Sequence, residues 1–111
     1  MTTTTTFTAH NIPQQRVEDL LCNAFEDGSA YWAEADGDHT QAFEPGGVIV
    51  REFEEFLAPD LVLNVAAIQS GLAIMEEKYP IHFANFLNED DDAETGDVFL
   101  QCCLLGEIVY G

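Results

Sequence analysis

Val98-Phe99-Leu100-Gln101-Cys102-Cys103-Leu104-Leu105-Gly106-Glu107-Ile108-Val109-Tyr110 is apolar on nearly every side. A helix that is apolar all round is a buried helix. A buried strand is the alternative, but thirteen residues are long for a strand and ordinary for a helix. The segment is therefore expected to be the last and most central helix, with Thr95 or Asp97 as its cap. A helix at this end also argues against a repeated strand–helix–strand pattern, because the chain opens with a helix too.

That first helix starts near Pro13, where a missing N–H costs nothing. Val17, Leu20, Leu21, Ala24 and Phe25 follow at i, i+3, i+4, i+7 and i+8, an amphipathic stripe. Asp27-Gly28 is expected to end it, with Gly28 as a left-handed cap. Between the terminal helices lie strand-like pieces and turns. Ser29 to Ala35 reads as a strand carrying Tyr31 and Trp32. Asp36-Gly37-Asp38 and Pro45-Gly46-Gly47 read as turns. Val48-Ile49-Val50 and Leu61-Val62-Leu63 are β-branched or aliphatic runs beside turns. Arg51 to Phe56 reads as a strand end or irregular connection. Asn64 is a good N-cap for a second helix with a stripe of Val65, Ile68, Leu72 and Met75. Tyr79-Pro80 breaks that helix, and Pro80 opens a third, to about Leu87. The expected fold is α+β, about four helices with a small antiparallel sheet of roughly three short strands. Residues 1–12, Thr-rich and without periodicity, are expected to be a flexible arm. Residues 13–111 then form one globular domain.

The chain has 111 residues, 47% of them hydrophobic, enough for a core. It carries 21 acidic residues against 3 basic ones, a formal charge of −18. Only Arg16, Arg51 and Lys78 are cations. A nucleic-acid binder needs a basic footprint to displace counterions from phosphates, so direct nucleic-acid binding is excluded, as is docking on an anionic membrane. The apolar run Val98 to Leu105 is too short to span a bilayer. Met1 and the threonines after it lack the basic and apolar regions of a secretory signal. Three cysteines, two of them adjacent, make a poor disulfide framework and suit a reducing cytosol.

Three readings of the acidity stay open. Salt-accumulating cells favour acid-rich, lysine-poor proteins, because carboxylates stay hydrated in brine and their repulsion is screened there. An acidic surface can also mimic DNA and occupy a basic groove on another protein. The third reading is an ordinary solvated surface.

No metal or cofactor site is expected. Asp90, Asp92, Glu94 and Gly96 have the spacing of a calcium loop, but Thr95 stands where that loop needs glycine and Gln101 where it needs glutamate. His10, His39, His82 and the cysteines show no zinc spacing. Cys102 and Cys103 lie in the most apolar segment, where thiols behave as small hydrophobes. No glycine-rich phosphate cradle is visible. Paired carboxylates such as Glu26 and Asp97 do acid–base work only at a separation that the sequence leaves open. Ser29, Tyr31 and Trp32 form a compact polar–aromatic cluster that, with Tyr79 and His82, makes a candidate ligand surface. The alternative places Trp32 in the core.

Phe25-Glu26-Asp27-Gly28-Ser29-Ala30-Tyr31-Trp32 resembles a Glu-Gly-Gly-Ser-Asn-Tyr-Trp signature. Met75-Glu76-Glu77-Lys78-Tyr79-Pro80-Ile81-His82-Phe83 resembles a Lys-Tyr-Pro-x-His-Phe block. Asp91 to Cys102, through Thr95-Gly96-Asp97-Val98-Phe99-Leu100-Gln101, continues into Gly106-Glu107-Ile108-Val109-Tyr110-Gly111. Together these stretches resemble a family of small phage and prophage proteins of unassigned function. The likeness spans both ends and leaves residues 33–60 unmatched. Asp27 replaces a glycine of the pattern and Ala30 an asparagine. The resemblance implies a viral origin and a setting in the host cytoplasm.

The expected function is a non-catalytic accessory protein that binds and inhibits a host protein, in the manner of a nucleic-acid mimic or counter-defence factor such as an anti-CRISPR. Glu89, Asp90, Asp91, Asp92 and Glu94 would meet the basic surface of that host protein. The alternatives are a sponge for a nucleotide signal, built on Ser29, Tyr31, Trp32, Tyr79 and His82 with a homo-oligomer interface as one place for the ligand, and a halophilic protein whose charge is environmental.

Overall fold

Helix starts follow from local chemistry in the computed structural model, which describes residues 6–7, 11–53 and 60–111. Helix α1 (Gln14–Asn23) follows Pro13, whose fixed φ suits a helix entry. Helix α2 (Val65–Lys78) is capped by Asn64, whose Oδ1 accepts from the Ala67 amide at 2.8 Å. Helix α3 (Pro80–Leu87) carries its proline at the first position. Helix α4 (Ala93–Leu105) begins earlier than expected. Asp92, not Thr95 or Asp97, is its cap, and Oδ1 accepts from both the amide and the hydroxyl of Thr95 at 2.9 and 3.1 Å. The first apolar residue, Val98, had marked the start in the sequence. The cap lies before it because the first helical turn is chosen for polar partners of free amides, not for burial.

The end of α4 also differs from expectation. Gly106 adopts φ 79°, a left-handed stop, and Glu107 to Gly111 leave the helix and turn back over the fold. At the end of α1 the chain widens into a π-turn, Ala24–Gly28, closed by the Ser29 amide on the Ala24 carbonyl at 2.7 Å. Gly28 is not a left-handed cap. Its role is close approach, since a Cβ there would lie 1.9 Å from the Ala93 carbonyl oxygen.

Strands β1 (Thr6–Phe7) and β2 (Ile12–Pro13) pair antiparallel. Ile12 is buried, so the expected arm is anchored at its inner end. The rest of that arm, residues 1–5 and 8–10, lies outside the described residues, as do residues 54–56 of the expected connection after Arg51. Strands β3 (Ala33–Ala35), β4 (Val48–Glu52) and β5 (Leu61–Leu63) form an antiparallel sheet in that order. Alternation places Val48 and Val50 in the core and Ile49 and Arg51 outside, with Ile49 opposite Val62. The fold is thus α+β, with four helices and one three-stranded sheet among the described residues.

Helix α4 is the central element and packs against α1, α2, α3, β5 and the π-turn. Val98, Phe99, Leu100 and Cys102 are all buried, as an all-round apolar helix requires. Gly71 lets α2 approach α4 closely, since a Cβ there would stand 2.3 Å from the Cys103 Sγ and 2.8 Å from its Cα. No described helix is long and apolar enough to cross a membrane.

Gly71→Ala separates two opposed effects. Alanine gains about 1 kcal/mol in helix propensity. Overpacking against the Cys103 backbone costs about 1–3 kcal/mol. The expected net result is a lower urea midpoint, and an unchanged or higher midpoint would show that α2 lifts away freely.

Candidate functional site

Asp97 lies in the second turn of α4, and its carboxylate gathers side chains from distant parts of the chain. The π-turn delivers Ser29, whose hydroxyl donates to Oδ1 at 2.8 Å. The following turn, held by the Trp32 and Ala33 amides on the Ser29 carbonyl, brings Tyr31 and Trp32 to the same acid. The Trp32 Nε1–H donates to Oδ1 at 2.7 Å and the Tyr31 hydroxyl to Oδ2 at 2.8 Å. Gln101, one helical turn on, donates to Oδ1 at 3.1 Å. This explains why Ser29 to Trp32 is a turn and only Ala33–Ala35 a strand. In a strand, residues 31 and 32 would point to opposite faces and could not share one carboxylate.

Gln101 carries the network onward. It is 1% exposed, and its amide makes bonds on both ends. Oε1 accepts from the Val109 and Tyr110 amides at 2.7 and 2.8 Å, and Nε2 also donates to the Tyr110 carbonyl at 3.0 Å. The returning tail is thereby fastened to the helix it left. Tyr110 stacks on Trp32 with ring centroids 5.0 Å apart, and its hydroxyl donates to Glu52 on β4. Further along, the Tyr79 hydroxyl accepts from the Ile108 amide at 2.9 Å, and the Lys78 ammonium reaches the Gly106 carbonyl at 3.4 Å.

The candidate ligand residues thus divide. Ser29, Tyr31 and Trp32 are brought together on Asp97, while Tyr79 holds the other end of the tail. His82 sits half-buried on α3, with its Nδ1 buried and lacking a partner among the described residues. Trp32 is a core residue, 1% exposed, and its indole has no open face for a stacking ligand. Tyr31 remains half exposed. Loss of solvent at its hydroxyl, then the bond to Asp97 and the charge of that acid, push its phenol up to about 12. Burial pushes the Cys102 thiol up to about 12, the direction opposite to that of a reactive nucleophile. Glu26 accepts from the Cys22 thiol at 3.0 Å, apart from the donors that occupy Asp97.

The acidic loop divides as well. Asp91 pairs with Arg16 at 2.9 Å and its side chain is 7% exposed. Asp92 is the cap of α4, and the Thr95 bonds hold its carboxyl below the usual carboxylate range. Glu89, Asp90 and Glu94 stay exposed. The contact of Gly28 with Ala93 sets the exposed Glu26-Asp27 pair beside this loop. All three cations are engaged within the chain. The Arg16 guanidinium also donates to the Phe86 carbonyl at 2.6 Å and lies 5.0 Å over the Phe86 ring. Arg51 sits between Asp36 and Asp60 at 3.1 and 3.6 Å. Among the described residues no three His, Cys, Asp or Glu side chains gather as a metal cage.

Two surface depressions flank these features. One, of about 290 Å³, lies between α1 and α3 and is lined by Asn11, Ile12, Pro13, Arg16, Phe86, Leu87 and Glu89. The other, of about 360 Å³, lies beside β3 among Phe25, Ala30, Ala33, Glu34 and Phe53. Ala30, where the resembling motif has asparagine, therefore faces open surface. Comparison of the chain with protein-family models, curated proteins and solved structures gave no match.

Asp97→Ala leaves buried donors of Ser29, Trp32 and Gln101 without an acceptor, each costing about 1–3 kcal/mol. We expect a loss of about 3 kcal/mol or more by urea unfolding. Asp27→Ala, at an exposed acid nearby, should stay within about 0.5 kcal/mol. Equal effects would remove Asp97 from its central role. The Tyr31 phenol gives a pH test. Its folded value is raised, so its stabilising contribution is complete below the unfolded value near 10 and is lost as pH rises toward about 12. Spectrophotometric titration should show a late-forming phenolate phase, and Tyr31→Phe should reduce its amplitude by one tyrosine.

Proposed function

We propose that this chain is a non-catalytic binding protein whose acidic surface seats the basic surface of another protein, in the accessory role implied by its likeness to small phage proteins. One observation carries the reading. Only three cations stand against 21 acids, and Arg16 and Arg51 are already paired with Asp91, Asp36 and Asp60, so the outward charge is almost wholly carboxylate. Such a surface steers a basic partner from a distance and repels nucleic acid and anionic membranes. Glu89, Asp90 and Glu94 are its densest free group, joined by Glu26 and Asp27. Asp91 and Asp92 belong to the fold and are not counted in the contact. The host cytoplasm is the setting of this proposal.

A second reading has its own support. Exposed acids also occur far from the loop, on β3 at Glu34, on α2 at Glu77 and in the tail at Glu107. That spread fits adaptation to high salt, where acids serve hydration over the whole surface. Stability against salt separates the two. A salt-adapted fold unfolds as salt falls, whereas a binding surface leaves the fold intact at low salt and releases its partner at high salt.

The test is native mass spectrometry of the tagged chain after incubation in host extract at moderate salt. A heavy adduct is expected with the wild-type chain and should vanish with Glu89→Lys, Asp90→Lys and Glu94→Lys combined. An adduct that survives this triple reversal sinks the reading. A small mass increment in place of a protein adduct would favour a ligand sponge.

A further inference from the structure

Tyr79 to Asn88 is a run of ten residues without Asp, Glu, Lys or Arg, in a chain with 21 acids. It contains all of α3. The inner side of that helix is filled by Phe83 and Phe86, both buried. Its outer side is apolar as well. Pro80, Ala84 and Leu87, at i, i+4 and i+7, line up along it, and Ile81 stands beside them at 76% exposure. An exposed aliphatic ridge of this kind marks an interaction surface more often than a solvated one.

The ridge runs into the depression between α1 and α3, where Leu87 stands at the mouth beside Ile12, Pro13 and Phe86. Arg16 forms part of the wall, with its charge already answered by Asp91. Asn11 and Glu89, with φ of 56° and 59°, are the only non-glycine residues in the left-handed region among the described residues, and both line this depression. Backbone held in that region is retained where the surroundings enforce it, and it gathers at binding sites. Beyond the ridge the charge is mainly acidic. Glu77 and Lys78 precede it, and Glu89 and Asp90 follow it, all exposed.

We propose that this ridge and depression seat a basic amphipathic helix of the partner protein, a deeper form of the binding role proposed above and resting on it. The occupant follows from charge complementarity. An apolar strip that ends on the carboxylates of Glu89 and Asp90, in a chain with a formal charge of −18, fits a helix whose apolar residues are followed by Lys or Arg, and it disfavours an acidic helix or an anionic lipid surface. Helix α3 is about 12 Å long at 1.5 Å per residue, so the matching apolar strip covers about two turns of the partner. Leu87 and the depression take its largest apolar side chain, while Glu89 and Asp90 receive the cations beyond it.

The experiment uses two synthetic peptides with the same Lys and Leu content. One places Leu at i, i+3, i+4 and i+7 and the other scrambles that order. Binding to the full chain is read by fluorescence anisotropy of the labelled peptide, with sedimentation of the chain alone as the companion measurement. The patterned peptide is expected to bind at least about tenfold more tightly than the scrambled one, a difference of about 1.4 kcal/mol. Ile81→Asp, at a site too exposed to disturb the core, should abolish that preference, and Leu87→Asp should do the same with unchanged circular dichroism. Equal binding of the two peptides overturns the inference and leaves the charge-based reading standing. No binding of either peptide at low salt overturns both. A dimer of the chain alone that Ile81→Asp dissolves assigns the ridge to a second copy and also overturns the inference.

Discussion

The fold depends on one carboxylate without a cation beside it. Asp97 holds its charge with four neutral donors, from Ser29, Tyr31, Trp32 and Gln101. In a chain with three cations, all used elsewhere, this solution has a physical logic. Hydrogen bonds to a charged acceptor are stronger than neutral ones, and dipoles serve where ions are scarce. The result is a junction rather than a pair. It ties the exit of the first helix to the middle of the last, and through Gln101 it ties in the returning tail. The π-turn, the placement of Trp32 and the path of residues 107–111 all become consistent once that acid is fixed.

Local chemistry was readable and distant chemistry was not. The start of α3 at Pro80 and the Asn64 cap of α2 depend on residues within one turn, so the sequence showed them directly. The stripe of Val17, Leu20 and Leu21 and the buried nature of α4 followed from periodicity alone. The π-turn, the use of Gly28 for contact and the shift of the α4 start to Asp92 needed knowledge of what lies across the fold. Asp97 was visible only as a candidate cap or acid, because three of its four donors stand 65 to 68 residues away. One signal was present. Gln101 is a lone polar side chain in an apolar segment, and such a residue must find partners when buried. The stretches Phe25 to Trp32, Met75 to Phe83 and Asp91 to Gly111 supply Ser29 to Trp32, Tyr79, and Asp97 to Tyr110, the pieces that meet here.

Charge and apolarity are sorted in space. Arg16 pairs with Asp91, and Arg51 with Asp36 and Asp60, which leaves the many unpaired carboxylates to set the sign of the surface. The uncharged run around α3 interrupts that surface. An apolar strip within a repulsive field is accessible to partners of opposite sign and closed to most others. This combination gives selectivity without a deep pocket, since long-range attraction sets who approaches and the strip sets who stays.

The chain holds a single tryptophan, and the fold places it where tail, turn and central helix join. Its indole is sealed from water, covered by one tyrosine ring and bonded to a carboxylate. Light absorbed there is emitted from one site only, so the colour of that emission reports on closure of the whole junction. Peeling the tail away would admit water and move the emission to the red without any added label. The protein thus contains an optical gauge of its own assembly, one that reports loosening of the tail.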